Sequence, residues 1–398
     1  MPAIASPLPL IRLLPGRDKR VKSGHPWAFS NEIAMSPELR ALPPGSAIRL
    51  EGDDGVKHGV WHFNPHSLIA ARVLDRNPEV EPGANWYRRR LSDALALRTR
   101  LGIPRFCRLV HAEADGLPGL VVDRFDDVIA LQANTAGMEA ATPMIVEALK
   151  ELLAPRAIVA RNDSAVRTLE GLELNSGLLH GTEARARVEE GGIAFEVDLL
   201  SGQKTGWFFD QRENRARVAG IADGATMLDA FCHTGGFGLL AARAGAAQVT
   251  LLDRSQPALD LAMATAASNG LAERVTAQRG EALETLERIV GARKTFDIVV
   301  ADPPAFAKSR KDIPAALRAY QRLARLCAQL VAPGGYLFIA SCSHHAAPAE
   351  FAEAVAQGVW RARREARLLA STGAGPDHPV HPLLPESAYL KAQLLQLG

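Results

Sequence analysis

The sequence predicts an α/β protein whose C-terminal half forms a parallel, doubly wound sheet, preceded by a smaller α/β unit and a β-rich N-terminal module. From about residue 186, strand and helix patterns alternate regularly, which is typical of a parallel sheet with helices on both faces. Residues 106–180 alternate less regularly. The first ~75 residues contain short alternating segments separated by Gly, Asp, Asn and Pro. A length of 398 residues also exceeds one ordinary domain.

The N-terminal module is expected to hold strands at "GSAIRL", "EGDDGV", "KHGVWHF" and "SLIAARVL". A helix is expected over residues 85–102, where the Arg88–Arg90 run follows Trp86 and Tyr87. Such a run is usually a solvated helix face, although it can also grip phosphates. A hairpin turning at Asp126–Asp127 and an amphipathic helix in "GMEAATPMIVEALKELL" come next. The predicted domains are 1–78, 79–185 and 186–398.

Polar or small residues stand at the carboxyl ends of five predicted strands of the C-terminal sheet. The strands are "ATMLDAF", "AQVTLLD", "RVTAQRG", "FDIVVAD" and "GGYLFIAS". In doubly wound sheets, ligands bind outside the carboxyl ends of the strands. These ends carry Asp229, Asp253, Gly280 with Glu281, Asp302, and Ser341 with Cys342. The pattern therefore predicts one ligand site along this edge.

Composition excludes several classes of protein. An apolar content of 47% and a charged content of 23% are ordinary for a soluble globular protein. No apolar run approaches the ~18–20 residues that span a bilayer, and the N-terminus lacks the pattern of a secretory signal, so we expect a cytoplasmic protein. The four cysteines show no C-x-x-C spacing, which predicts free thiols without a metal site or a disulfide framework.

The net charge of +2 hides an asymmetry along the chain. Residues 1–110 hold 17 Lys/Arg and 10 Asp/Glu, a net charge of +7. The remainder holds 29 basic and 34 acidic residues, a net charge of −5. A basic front end on an acidic body indicates that the front end meets a polyanion such as nucleic acid. Ordinary solvated surface charge is the alternative.

A glycine-rich loop, "MLDAFCHTGGFG", joins a predicted strand to a predicted helix. Gly235 and Gly236 allow the backbone to approach a ligand, and the helix that follows offers its N-terminal amides. Asp253 ends the next strand, where an acidic residue suits a ribose diol. A dinucleotide is disfavoured because the glycines do not form G-x-G-x-x-G. In addition, Asp229 would repel a pyrophosphate but attract the cationic end of S-adenosylmethionine (SAM). A tight strand–helix turn without a ligand is the alternative.

Five segments together resemble a known family: "SGQKTGWFFDQRENR", "LDAFCHTGGFG", "ADPPAF", "SCSHH" and "DHPVHPLLPESAYLK". They are similar in sequence and order to the class I SAM-dependent large-subunit rRNA methyltransferases that make 5-methylcytosine, the RlmI-like family. The resemblance covers essentially the whole chain. It implies an N-terminal PUA-like RNA-binding domain, a central α/β domain and a C-terminal Rossmann-like methyltransferase domain. It also implies SAM as cofactor and large-subunit rRNA as partner.

The resemblance implies a set of cofactor-binding residues. The segment before the first Rossmann strand is expected to cover SAM, and its Asp210–Glu213 spacing predicts that a helix begins at Asp210. Family members often carry an Asp after the third strand, where this chain has Glu281, whose longer side chain would reach the adenine amino group. The expected SAM-binding residues are Lys204, Thr205, Gln211, Arg212, Asp229, Phe231, Thr234, Gly235, Gly236, Asp253, Glu281 and Asp302.

The "DPPAF" motif is shared with enzymes that methylate exocyclic amines. There the Asp accepts a hydrogen bond from the amine while an aromatic residue stacks on the base. In a cytosine enzyme, Asp302 would instead recognise the N3/N4 edge of the base, and the two prolines would fix the backbone. Methylation of an rRNA base nitrogen, using Asp302 and Phe306, therefore stays open as an alternative.

Cys342 is the expected nucleophile. Carbon 5 of cytosine is a poor nucleophile until a thiolate adds to C6 and breaks the aromaticity of the ring. Cys342 follows the strand beyond "DPP", which is where the family keeps this cysteine. A small buried structural cysteine is the ordinary alternative, and packing roles are expected for Cys232 and Cys327.

Several further expectations complete this interpretation. His344 and His345 lie too close to Cys342 in sequence for a typical zinc site, and SAM chemistry needs no metal. They are expected to shape the loop, with a role in proton transfer as a weaker option. An RNA-binding protein that uses SAM only structurally and a nicotinamide oxidoreductase are weaker alternatives for the whole chain. The oligomeric state is left open, with a homodimer as one option.

Overall fold

A computed structural model describes residues 8–200, 206–307 and 309–398. The chain divides into two compact units. The first unit comprises the described residues within Met1–Val188, Val197–Phe209 and Pro376–Pro385. The second unit comprises Glu189–Glu196, Asp210–Gly375 and Glu386–Gly398. No helix within the described ranges combines the length and apolar character needed to cross a membrane.

The first unit begins with a five-stranded mixed sheet. Its elements are β1 (Leu10–Arg12), α1 (Lys19–Lys22), β2 (Trp27–Ala28), α2 (Pro37–Arg40), β3 (Ser46–Glu51), β4 (Lys57–Phe63) and β5 (Ala71–Asp75). The strand order is β1-β3-β4-β5-β2, with β1 parallel to β3 and the other pairs antiparallel. Trp61 and Phe63 are fully buried between these elements, which explains the apolar alternation of β4.

One strand expected in this module is wrong. The segment "EGDDGV" was predicted as a strand, but Glu51 ends β3 and the following residues form the turn to β4. The Gly52 amide donates to the Val56 carbonyl at 2.9 Å, and Gly55 has a φ of +78°. Asp and Gly favour such a turn because they tolerate or stabilise its backbone angles.

A second five-stranded sheet follows in the first unit. Its elements are α3 (Ala84–Arg100), β6 (Phe106–His111), β7 (Leu120–Phe125), β8 (Val128–Ala133), α4 (Ala136–Leu153), β9 (Ala157–Asn162) and β10 (Asn175–His180). The order is β10-β9-β8-β7-β6. The two helices and the hairpin that turns at Asp126–Asp127 are confirmed, and Asp126 has a left-handed φ of 59°.

A hairpin of β11 (Arg185–Glu190) and β12 (Ile193–Asp198) comes next, and the division between the two units falls within it. A short 3-10 turn, Phe209–Gln211, then precedes the first helix of the second unit. That helix begins at Arg212, with Gln211 at its N-cap, so the expected helix start at Asp210 is wrong. The Asp210 carboxylate instead accepts a 2.5 Å hydrogen bond from the Tyr389 hydroxyl.

The second unit is built on a seven-stranded sheet. Its elements are α5 (Arg212–Ala219), β13 (Thr226–Ala230), α6 (Gly236–Arg243), β14 (Gln248–Asp253), α7 (Gln256–Ser268), β15 (Val275–Arg279), α8 (Ala282–Gly291), β16 (Phe296–Ala301), α9 (Ile313–Leu330), β17 (Val331–Ser341), α10 (Pro348–Arg361), β18 (Ala366–Thr372) and β19 (Lys391–Leu397). The order is β15-β14-β13-β16-β17-β19-β18.

The five predicted strands of this sheet, β13 to β17, are confirmed and run parallel. The sheet is nevertheless mixed, because β19 inserts antiparallel between β17 and β18. The expectation of a purely parallel sheet therefore needs this correction. An antiparallel neighbour places the first residue of β19 beside the last residue of β17, so Lys391 lies opposite Ser341. The position of Lys391 matters for the site described below.

Candidate functional site

The parallel register brings the carboxyl ends of the central strands together. Ala230 at the end of β13 is opposite Leu252 of β14 and Ala301 of β16. Residues that follow these strands therefore meet at one edge of the sheet. Asp229, Asp253 and Asp302 all come to this edge, and the charges of Asp253 and Asp302 act on Asp229.

The loop between β13 and α6 holds an unusual backbone. Phe231 and His233 have left-handed φ angles of 63° and 49°, and Gly235 follows with a φ of 80°. Left-handed angles are costly for residues with a side chain, and they cluster at functional sites. The loop thus turns tightly from strand to helix.

Asp229 is the most deeply buried acid at this edge. One of its oxygens accepts a 2.8 Å hydrogen bond from the Gly238 amide in the first turn of α6. A Cβ at Gly238 would lie 2.4 Å from the Leu251 side chain, so only glycine allows this close approach. Burial, together with the smaller effect of the charges of Asp302 and Asp253, raises the pKa of Asp229 to about 8. The site therefore favours a ligand that brings positive charge.

Asp253 is held by two backbone amides. Its carboxylate accepts hydrogen bonds from His233 at 2.9 Å and Ser255 at 2.8 Å. The Gly280 amide donates to the Asp253 carbonyl at 3.0 Å, which brings the end of β15 beside β14. Glu281 follows as the exposed N-cap residue of α8. Each carboxylate oxygen of Asp253 can accept a further hydrogen bond, since a carboxylate can accept about four.

A chain of amide side chains fixes Asp302. Gln211, which is 2% exposed, donates from Nε2 to Asp302 at 2.9 Å. The Oε1 atom of Gln211 accepts from Asn214 at 2.7 Å, and Asn214 in turn accepts from the Thr372 hydroxyl at 2.7 Å. Asn214 and Thr372 were not predicted as site residues. Their contacts join residues far apart in sequence, although "DQRENR" already placed Asn214 in a motif.

The other predicted cofactor residues are placed as follows. Thr234 is buried in the glycine loop, with its hydroxyl 3.4 Å from Nδ1 of His233. Phe231 and Gly236 of the same loop are half-buried, as is Arg212 at the start of α5. Lys204 and Thr205 lie outside the described residues.

Cys342 follows β17 and is half-buried, whereas Cys107, Cys232 and Cys327 are buried. Its sulfur lies 4.0 Å from the Pro303 carbonyl, directly after Asp302. Burial raises the pKa of Cys327 to about 12 and that of Cys232 well above its usual value. Such thiols are poor nucleophiles, so Cys342 is the accessible thiol of the sheet edge.

Two buried serines anchor the backbone on either side of Cys342. The hydroxyls of Ser341 and Ser343 each lie 2.8 Å from the Tyr320 hydroxyl of α9. Ser343 also accepts a 3.3 Å hydrogen bond from the Ala307 amide, in the loop after Asp302. Both serines are fully buried. The two serines therefore hold the loop that carries Cys342, called here the cysteine loop, against the loop that carries Asp302.

Lys391 contacts the loop after Cys342 and was not among the predicted site residues. Its ammonium donates to the carbonyls of Ser343 at 2.6 Å and Ala346 at 2.8 Å. Burial lowers the pKa of Lys391, and the charge of Cys342 opposes this by raising it. A lysine within the largely apolar "AYLKAQLLQL" was a signal of a buried, partnered cation.

The remaining predicted features surround this loop. His344 is exposed and its ring packs on Tyr389 with centroids 5.1 Å apart, while His345 is exposed.

The expectation that the chain needs no metal stays a prediction. Among the described residues, one group of acids has a metal-like spacing, and it lies in the first unit: Asp18, Asp53 and Asp54. The Lys22 ammonium already lies 2.5 Å from Asp18.

The fold and the acidic sheet edge define a class of protein. A family model for S-adenosylmethionine-dependent methyltransferases matches residues 156–395, and one for PUA-like domains matches residues 11–76. The chain is thus an α/β protein with an N-terminal PUA-like domain and a Rossmann-like domain of the SAM-dependent methyltransferase class. More particularly, the chain belongs to the ribosomal RNA large subunit methyltransferase I family, as the following relatives show.

Curated relatives match almost the whole chain. "Ribosomal RNA large subunit methyltransferase I" of Photobacterium profundum is 35% identical over 388 residues, covering 96% of this chain and 97% of that protein. The protein of the same name from Shewanella amazonensis is 37% identical over 390 residues, again covering 96% and 97%. Identity at this level over whole chains is what establishes the family.

Solved structures support the fold alone. A SAM-dependent methyltransferase from Streptococcus mutans has a TM-score of 0.81 at 19% identity, covering 98% of this chain and all of that one. SMU.776, a methyltransferase complexed with SAH, has the same TM-score and identity, and covers 98% of this chain and 99% of its own.

The residues of the sheet edge fit the cofactor of this class. A buried carboxyl with a raised pKa, Asp229, is stabilised in its ionised form by an added positive charge, and SAM carries a sulfonium and an ammonium. The carboxylate of Asp253 has lone pairs for ribose hydroxyls. The Gly238 amide in the first turn of α6 donates to Asp229, and the close packing there leaves no room for a Cβ.

Proposed function

We propose that this protein transfers a methyl group from SAM to C5 of a cytosine in large-subunit rRNA, through a covalent bond between Cys342 and C6. One observation carries the choice of chemistry. The half-buried thiol of Cys342 lies beside the residue that follows Asp302, at the same edge as the acidic cofactor residues. The names of the curated relatives support rRNA of the large subunit as the substrate.

The proposed reaction begins at the sulfur of Cys342. The thiolate adds to C6 of the cytosine, and the electron pair of the C5–C6 bond moves to C5. Bound SAM would supply an electrophilic methyl group to C5, and its S–CH3 bond would break to leave S-adenosylhomocysteine. A base then removes the proton from C5, the C5–C6 double bond re-forms, and the C6–sulfur bond breaks to regenerate the thiolate.

Asp302 is proposed to hold the base during these steps. Gln211 donates to one carboxylate oxygen of Asp302, and a carboxylate can accept about four hydrogen bonds, so Asp302 is proposed to accept also from the N4 amino group of cytosine. Pro303 is buried and stiffens the backbone after the carboxylate. Asp302 thereby orients the ring so that C6 faces Cys342.

The other residues are proposed to bind the cofactor. Asp229, Phe231, Thr234, Gly235 and Gly236 surround SAM from the first strand and the glycine loop. Asp253 binds the ribose and Glu281 the adenine amino group. From the preceding segment, Lys204, Thr205, Gln211 and Arg212 cover the cofactor. We also propose the division into domains 1–78, 79–185 and 186–398. The PUA-like domain is proposed to bind RNA through phosphate and shape contacts.

Methylation at a base nitrogen is the competing chemistry, and it would use Phe306 to stack on the base. The Phe306 ring packs on Tyr320 with centroids 4.7 Å apart and contacts the core of the second unit. This packing favours a structural role for Phe306. Nitrogen chemistry also gives no role to a half-buried thiol at the sheet edge.

The experiment combines a cysteine variant with a trapped substrate. Cys342→Ala should reduce methyl incorporation into rRNA to background, because C5 stays unreactive without the thiolate. RNA containing 5-fluorocytosine should become covalently attached to the wild-type protein, because fluorine replaces the proton that the base removes. Mass mapping of rRNA from cells with and without the protein locates the modified base.

Cys327→Ala is the matched control, since Cys327 is a fully buried thiol in the core of the same unit. It should retain methyl transfer and trapping. Full activity of Cys342→Ala, or a methyl group found on a base nitrogen, would overturn the cysteine mechanism and leave the family membership intact.

A further inference from the structure

Lys391 contacts the loop that follows Cys342. It is the first residue of β19, opposite Ser341 in register, and it is only 7% exposed. Its two hydrogen bonds end on carbonyl oxygens, those of Ser343 and Ala346, which carry no formal charge. A buried ammonium with only carbonyl partners has incomplete charge compensation, so a nearby anion stabilises it.

Cys342 is placed to be that anion. A negative charge on Cys342 acts on Lys391 in the direction that keeps the lysine protonated. Electrostatic coupling is mutual, so an ammonium at Lys391 favours the Cys342 thiolate by the same free energy.

We propose that Lys391 is a positioning residue for Cys342: its two hydrogen bonds fix the turn after β17, and its positive charge favours the thiolate. This inference rests on the proposed function, in which Cys342 is the nucleophile. Lys391 acts through Cys342 and needs no contact with the substrate.

The titratable groups around the thiol come from several elements. Tyr320 of α9 interacts electrostatically with Cys342, and burial raises its pKa. Asp302 precedes Pro303 on the loop after β16, His344 follows on the cysteine loop, and Tyr389 packs against His344. Of these four groups and Lys391, Lys391 is the one amine, and the ordinary pKa of a lysine, about 10.4, lies well above neutral pH. The Lys391→Gln variant therefore removes the one amine of this set.

The test measures alkylation of the native full-length protein by iodoacetamide as a function of pH. Cys342 dominates the signal because the other three cysteines are buried, and Cys342→Ala gives the blank. In wild type the midpoint should lie below ~8.5, the value for an ordinary thiol. Lys391→Gln should raise the midpoint by about one pH unit. The rate at pH 7 should fall only about threefold, since a more basic thiolate is also more nucleophilic.

Two further variants separate charge from folding. Lys391→Arg keeps the charge and should keep the midpoint within about 0.3 units of wild type. Arg364 makes comparable bonds at the other end of β17, to the carbonyls of Ala328 and Val331 at 2.9 and 2.6 Å. Arg364→Gln should lower stability and leave the pH profile of Cys342 unchanged.

The outcomes distinguish the two proposals. If Cys342→Ala abolishes methyl transfer but Lys391→Gln keeps the wild-type midpoint, the role of Lys391 is wrong and the cysteine mechanism stands. If Cys342→Ala stays active, the proposed function fails whatever the alkylation shows. A wild-type midpoint at or above ~8.5 overturns the role of Lys391 without any variant.

Discussion

Two fully buried aspartates, one in each unit, are treated differently by the fold. Asp123 on β7 of the first unit is bound by both arms of the Arg108 guanidinium, at 2.5 and 3.1 Å. Asp229 on β13 of the second unit accepts a backbone hydrogen bond from Gly238, and burial raises its pKa to about 8. Both carboxylates are at most 1% exposed.

We propose that the difference separates a charge that supports the fold, Asp123, from a charge that binds a ligand, Asp229. A buried carboxylate that only supports the fold is most stable with a bidentate guanidinium partner. Asp229 instead lies near two further carboxylates, Asp253 and Asp302, which raise its pKa. This arrangement is unfavourable until a positively charged ligand arrives, and perturbed groups of this kind cluster at functional sites.

The largest expected change in stability comes from breaking the ion pair between Arg108 and Asp123. Arg108→Met leaves the Asp123 charge buried without its guanidinium, which should cost about 3–5 kcal/mol of unfolding free energy. Chemical denaturation followed by circular dichroism measures it. The control is Arg105→Met, whose pair with Asp126 is exposed at 57% and 37%, and which should cost less than about 1 kcal/mol. Equal losses in both variants would contradict the comparison.

Sequence alone predicted that three carboxylates meet at one edge of the sheet, because strand alternation and strand ends are local signals. The order "LDAFCHTGGFG", "LLD" and "ADPP" places Asp229, Asp253 and Asp302 after three buried strands. A parallel sheet then brings them to one edge. Local signals also explain why α3, α4 and the hairpin at Asp126–Asp127 were predicted correctly.

What the sequence could not provide depends on partners distant along the chain. The run "ARLLAST" of β18 is mostly exposed and does not alternate in burial, so it carried no signal for an antiparallel edge strand. Lys391 reaches Ser343 across 48 positions. The Asp210–Glu213 spacing satisfied a capping rule, yet the Tyr389 hydroxyl binds the Asp210 carboxylate.

Replacing Asp229 is expected to raise the free energy of unfolding, by less than Arg108→Met lowers it. Its pKa is raised from 3.8 to about 8 in the folded state, so the folded protein binds a proton that the unfolded chain has already lost. Stability is therefore lost as pH rises through this window. Asp229→Asn keeps an acceptor for the Gly238 amide without the charge, and should raise the unfolding free energy by about 2 kcal/mol at pH 8.

The same variant should lose affinity for SAM at least about tenfold, measured by isothermal titration calorimetry, because the cationic ligand no longer meets a carboxylate. Greater stability together with weaker binding is the expected signature of a charge that binds a ligand. If Asp229→Asn destabilised the protein as Arg108→Met does, Asp229 would be a structural residue.

The smallest expected change in stability concerns a buried histidine in the first unit, His62. His62 is buried between β4 and α4, where a Cβ at Gly137 would lie 2.0 Å from its Nδ1 atom. Its Nε2 atom is 3.2 Å from the Tyr87 hydroxyl. Burial lowers the pKa of His62 from 6.5 to about 4, the mirror image of Asp229, since burial without a counter-charge favours the neutral form of both.

Because the unfolded chain gains a proton at His62 that the folded protein does not, stability is lost as pH falls from 6.5 towards 4. His62→Gln should remove about 1 kcal/mol of the difference in unfolding free energy between pH 7.5 and pH 5.5. Urea denaturation at the two pH values measures this, with His66→Gln as control because His66 is exposed. If His62→Gln and His66→Gln change the difference equally, then His62 titrates in the fold as an exposed histidine does. Burial alone would then not account for the behaviour of Asp229 either.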